Sequence, residues 1–265
     1  MLFGVSPGLR VGIFLTPNIV TSLARKLPFA LFPSKSNSPV LGLLNPANEF
    51  LCGARLPYFP MNEEGLNNPA VEIPGGLGHT TWGGMEAGPG MFYRAQVVDG
   101  EVHRLGGEAL RAQLSIVPVM ADGKRIRIGS NVVTNAAGKL IDHFDYVVHT
   151  APPMYTARQE LAQPARSWSD GLSACYQNGI ESAIESGVQV LFTPLLGAGA
   201  RGSPVDLAMQ VAVEAMFSNK TGNLKGGVAE DFVVLFGVQE HKLLRKMAKY
   251  MEAGGQSVKP SISKI

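Results

Sequence analysis

Residues 188–216 constrain the fold of this 265-residue chain more than any other stretch. Val188-Gln189-Val190-Leu191-Phe192 is a short β-branched and apolar run, the composition of a buried strand. It leads into "LLGAGARGSP" (195–204), with the spacing Gly197-x-Gly199-x-x-Gly202. Leu207, Ala208, Val211, Ala212 and Ala215 then recur at helical spacing. Ser203 suits a helix cap, Pro204 the first helical position, and Asp206 adds negative charge to the first turn. A strand, a glycine loop and a helix N-terminus together offer free backbone N–H groups to an anion. A bare tight turn of small residues has the same spacing and binds nothing.

The same glycine spacing opens dinucleotide-binding sheets, but there it lies at the first βα turn, with an acidic residue roughly 20 positions later at a strand end. Here it lies late in the chain, and around Thr221-Gly222-Asn223 there is neither a strand end nor a suitable carboxylate. The phosphate reading survives and the nicotinamide reading does not.

Alternation of strands and helices extends upstream. Residues 40–44, 127–134 and 146–150 read as strands, and 110–119 fits either type. Residues 168–186 read as a helix with Leu172, Cys175, Tyr176, Ile180 and Ala183 on one face and Gly187 as its stop. A strand at 232–236 and a helix at 239–251 close the pattern. That order predicts a three-layer α/β/α fold with a mixed, mostly parallel sheet, whose ligands gather outside the carboxyl ends of the strands. Residues 53–97 break the rhythm with Gly75-Gly76, Gly83-Gly84 and Gly88-Pro89-Gly90, as a large lid or binding-loop insertion does.

The chain's size allows one domain with a sizeable core. A net charge of +2 without a long basic run argues against an extended nucleic-acid footprint. Cys52 and Cys175 make neither a disulfide framework nor a metal cluster, which fits a reducing compartment, and no apolar run reaches the roughly 20 residues of a bilayer span. A cytoplasmic location is expected. The acid-free, basic beginning (Arg10, Arg25, Lys26 and Lys35 before Glu49) also has the composition of an organelle transit peptide, mitochondrial for example. Alternatively it is the first part of the fold, with Val11, Ile13 and Leu15 alternating as a strand and residues 17–26 following as a short helix.

Several segments resemble, in order, those of macro domains. "LLNPANEFL" (43–51) is similar to their N-A-A-N strand end, and "VVDGEVHRLGG" (97–107) to their V-D-G helix start. "IGSNVVTNAAGKL" (128–140) and "FDYVVHTAPP" (144–153) are similar to two further strand segments. "LSACYQNGIESAIESGVQVLFTPLLGAGARGSP" (172–204) is similar to the closing helix–strand–phosphate-loop unit. The resemblance implies one macro-like domain over 1–265, with a core at 40–252, the insertion at 53–97 and a strand/helix extension at 1–39.

It also implies ADP-ribose, or a mono-ADP-ribosylated protein, as the partner, with neither a metal nor a cofactor and with no membrane. Gly197, Ala198, Gly199, Ala200 and Arg201 are expected around the diphosphate and distal ribose, and Asn18 and Ile19 at the adenine. Ala47, Asn48, Val98, Gly100 and Val102 complete the expected ADP-ribose-binding set. Asn48 and Asp99 are the expected catalytic residues. The amide of Asn48 accepts from one ribose hydroxyl and donates to another, and the Asp99 carboxylate activates water at a helix start. Asn45 is expected to be mainly structural, bonding backbone around the site, and His103 and His149, titrating groups in segments similar to structural parts of the family fold, to have core or supporting roles rather than catalytic ones. Asp99 favours a hydrolase of ADP-ribosyl bonds or an ADP-ribose 1″-phosphate phosphatase over a reader that turns nothing over, while fold alone does not separate them. The sequence departs from the family pattern at the insertion, since Asn48 and Asp99 lie 51 positions apart, and at Arg201, where an aromatic is common.

Overall fold

The computed structural model describes residues 2–6, 8–21, 38–53, 97–155, 166–199, 201–218 and 232–253. Apart from its end residues Gly53 and Val97, the insertion lies outside these, as does Ala200. Among the described residues, seven strands form one sheet: β1 (Leu2–Ser6), β2 (Leu9–Leu15), β3 (Leu41–Pro46), β4 (Asn131–Asn135), β5 (Tyr146–Thr150), β6 (Val190–Pro194) and β7 (Phe232–Val238). Their order is β1-β2-β7-β6-β3-β5-β4. The five inner strands pair in parallel, and β1 and β4 are antiparallel edges. The helices among the described residues are α1 (Val98–Ser115), α2 (Arg166–Glu185), α3 (Val205–Ser218) and α4 (His241–Glu252), with a 3-10 turn at Gly138–Asp142.

The inner strands are apolar on both faces, as a parallel sheet covered by helices requires. Leu44 and Val148 point into a core with Leu172, Tyr176, Ala212 and Met247 of α2, α3 and α4. Leu41, Leu43 and Val147 point the other way, against Val102, Leu105 and Leu110 of α1 and Leu140 of the 3-10 turn. These are the three layers the sequence predicts.

The N-terminal stretch is the first part of the fold, one of the two readings its sequence allows: β2 spans Val11, Ile13 and Leu15, pairs with β7 along its whole length and carries β1 on its other side. Three local expectations change. No helix begins at Pro17: residues 17–21 form bends and turns, and 22–26 lie outside the described residues. The strand expected at 127–134 begins only at Asn131, because Gly129 turns the chain at φ +80° to pack against Ala174. The ambiguous segment from Leu110 is the second half of α1. Among the described residues, no helix is long and apolar enough to cross a membrane.

Candidate functional site

The parallel strands end on one edge, where the loops after β2, β3, β5 and β6 meet the start of α1. Beyond Pro46 the β3 loop closes on Asn48. Its Oδ1 accepts the Phe50 N–H at 3.1 Å, and its Nδ2 donates to the Gly53 carbonyl at 2.7 Å. This tight closure holds Leu51 at φ 54°, a conformation costly for a branched residue unless its surroundings enforce it. Gly53 sits at φ +71°, and a Cβ there would come within 2.8 Å of the His103 ring. In this structure the amide expected at the ribose bonds local backbone and shapes the loop, as Asn side chains do where a turn leaves backbone groups without ladder partners.

Asp99 lies in the first turn of α1. It is not the helix cap: that position is Val97, with no side-chain cap hydrogen bond. The carboxylate is 6% exposed and faces the sheet, where Asn45 Nδ2 donates to its Oδ1 at 2.8 Å. His103, one turn later, brings Nε2 to 3.6 Å from the same oxygen and has no hydrogen-bond partner on that nitrogen among the described residues. Behind Asn45, its Nδ2 also lies 3.1 Å from His149 Nδ1, and His149 Nε2 lies 3.0 Å from Thr134 Oγ1. Asn45 and His149 are 0% exposed. Burial pushes the His149 imidazole down to about 3, and nearby His103 adds a smaller effect in the same direction, so the ring is neutral.

The glycine loop forms the opposite wall. Gly197 takes φ +82°, and its carbonyl receives the Ser203 N–H at 3.0 Å. A Cβ on Gly199 would meet nothing within 4 Å, so the loop presents bare backbone to open space there. The Leu196 N–H donates to the buried Tyr176 hydroxyl at 2.8 Å, fixing the loop's entry to α2. Ser203, read as a helix cap, instead has a buried hydroxyl without a partner among the described residues.

Arg201 is 7% exposed and reaches the β3 loop. Its Nη2 donates to the Ala47 carbonyl at 2.9 Å and lies 3.5 Å from Glu49 Oε2. Its own carbonyl receives the Tyr155 N–H at 2.9 Å. The side chain expected at the diphosphate and distal ribose thus links the glycine loop to the β3 loop. The sequence signal was present in the paired charges of Glu49 and Arg201, but their separation of 152 positions hid it.

The remaining expected residues divide by depth. Asn18 Oδ1 accepts the Val20 N–H at 2.8 Å in a local turn, and Ile19 is buried in the core beneath it, so at this corner Asn18 lies nearer the surface. Val102 is wholly buried and Gly100 is buried, while Val98 is half-buried against the same core. These three set the seat of α1 more than they offer a binding surface. Ala47 is buried with its carbonyl turned to Arg201. Thus Asp99, Gly197, Ala198 and Gly199 stand at the strand-end edge together with the Asn48 loop.

A model of the macro domain matches residues 90–212 of the chain. A macro domain-containing protein of Streptomyces coelicolor is 30% identical over 145 residues, spanning 55% of this chain and 77% of that protein. A protein of Pantoea vagans named O-acetyl-ADP-ribose deacetylase 1 is 28% identical over 126 residues, and the match spans 45% of this chain and 63% of that protein. Among solved structures, a mutant Oceanobacillus iheyensis macrodomain with ADPR superposes with a TM-score of 0.55 at 16% identity, covering 96% of this chain and 98% of that one. The structural likeness extends to the fold.

Proposed function

The chain belongs to the macro domain family, and from that premise we propose that it binds ADP-ribose at the strand-end edge and hydrolyses ADP-ribosyl bonds to acidic side chains, with Asp99 as the group that activates water. The observation that carries this reading is the placement of Asp99. Its carboxylate is freed from capping duty and pinned through one oxygen by Asn45, in a loop cluster whose other wall is bare glycine backbone. Backbone N–H groups at Gly197, Ala198 and Gly199 suit a diphosphate, which needs close approach and many donors. The reading is also supported by the name of the Pantoea protein, O-acetyl-ADP-ribose deacetylase 1.

In the reaction, water attacks C1″ of the distal ribose as the bond to the protein carboxylate breaks. Asp99 accepts the water proton and offsets the positive charge that develops on the sugar. The Asn48 loop sets the ribose so that C1″ faces this water. The test is release of ADP-ribose from a mono-ADP-ribosylated acidic substrate. Asp99→Ala is expected to lower turnover roughly 10²-fold or more, with ADP-ribose affinity measured by calorimetry nearly kept. Wild-type protein that binds ADP-ribose but releases none would mark a reader instead.

A further inference from the structure

The structure assigns His149 and Thr134 a task that ends at Asp99: we propose that they are positioning residues, which hold the Asn45 amide and through it the Asp99 carboxylate in one orientation. The inference rests on the reading of Asp99 as the water-activating group. Its basis is a row of side chains running across the sheet. Asn45 and His149 are direct partners on the adjacent strands β3 and β5. Val132 stands opposite His149 on β4, so Thr134, two residues on, projects to the same face. That face is the one α1 covers, and Asp99 comes down onto it from the first turn of the helix.

Hydrogen-bond directions in the row are mutually determined. Asn45 Nδ2 has two hydrogens; one goes to Asp99 Oδ1 and the other to His149 Nδ1. An accepting Nδ1 on a neutral ring places the ring proton on Nε2, which donates to Thr134 Oγ1. Rotating the Asn45 amide by half a turn would set its oxygen against the carboxylate, acceptor against acceptor, so the arrangement has one stable sense. In a buried setting each of these bonds is costly to leave unmade.

A carboxylate on its own swings broadly about its terminal torsion. With Oδ1 held, Oδ2 becomes the oxygen left for water. His149 is not an acid or base in this scheme, because burial keeps its ring neutral through the working range. It supplies one acceptor and one donor in a fixed plane. A leucine fills a similar space but leaves an Asn45 hydrogen unpaired, so the amide is held through Asp99 alone and tilts more freely.

The test compares His149→Leu, His149→Asn, Thr134→Val and Thr134→Ser in the full chain, read as kcat for release of ADP-ribose and Kd for ADP-ribose. His149→Leu is expected to lower kcat about tenfold while Kd stays within about twofold. His149→Asn restores an acceptor near the Nδ1 position and recovers most of the loss. Thr134→Val gives a milder loss that Thr134→Ser reverses, and this pair carries the test if His149→Leu does not fold. On an Asp99→Ala background, His149→Leu adds nothing further. An unchanged kcat in folded variants, an equal fall in affinity, or the same loss without Asp99 would overturn the proposal.

Imidazole ¹⁵N spectra of the wild-type protein separate the two readings. A wild type that releases no ADP-ribose removes the hydrolase alone. The positioning chain still requires a neutral His149 ring protonated on Nε2 at neutral pH, with resonances that move in Asn45→Ala. A ring protonated on Nδ1, or one indifferent to Asn45→Ala, overturns it.

Discussion

Gly199 and Gly197 sit two residues apart and are glycines for different reasons. Gly197 needs its positive φ, so Gly197→Ala is expected to cost about 1–2 kcal/mol of stability for the left-handed conformation. Gly199 has no such need, and a side chain there enters empty space. Gly199→Glu is therefore expected to leave the thermal midpoint nearly unchanged while placing a carboxylate where a diphosphate must lie. Like charges at close range cost several kcal/mol, so ADP-ribose affinity should fall by at least about 10²-fold. Calorimetry on the folded variant checks this, and unchanged affinity would remove the loop from the binding site.

At the scale of elements, the cleft is two loops held at a set separation. Arg201 is the strut, joining the glycine loop to Ala47 and Glu49. Arg201→Gln shortens the reach and removes the charge, leaving Glu49, itself mostly buried, with Lys124 at 4.0 Å as its remaining cation among the described residues. A loss of about 2 kcal/mol in unfolding free energy is expected, the scale of a charge-assisted hydrogen bond. ADP-ribose affinity should fall about tenfold, since the two walls no longer arrive pre-organised. In a double-mutant cycle with Glu49→Gln the two effects should be less than additive. Full additivity would mean that the pair does not act as one unit.

For the whole molecule, His149 makes stability depend on acidity. Its folded value near 3 lies below the unfolded value of about 6.5, so between these the unfolded chain binds a proton that the folded chain refuses. The contribution is complete above pH 6.5 and is lost as pH falls, at about 1.4 kcal/mol per pH unit. Urea unfolding at pH 7 and pH 5 should show wild type losing about 2 kcal/mol more than His149→Gln. Parallel profiles would mean that the imidazole is not held neutral.

The sequence alone determined the elements whose identity rests on local chemistry. Runs such as Val190–Pro194 and Tyr146–Thr150 are apolar enough to be interior strands, and the face of residues 168–186 is a helix in any context. The order of motifs was also sufficient for the family, since each motif is a contiguous string. Strand β1 escaped because an edge strand is made by its partner: "LFGVS" has little pattern of its own until it pairs with β2. At the site, Gly197, Gly199 and Asp99 were legible as loop and helix-start chemistry. The uses of Asn48, Arg201 and His149 were decided by tertiary structure. A hydrogen bond is chosen among all donors and acceptors within about 3 Å, and for Arg201 and Asn45 those partners lie 154 and 104 positions away in the chain. Side-chain chemistry states what each residue is able to bond, and only the folded sheet brings the partner within reach.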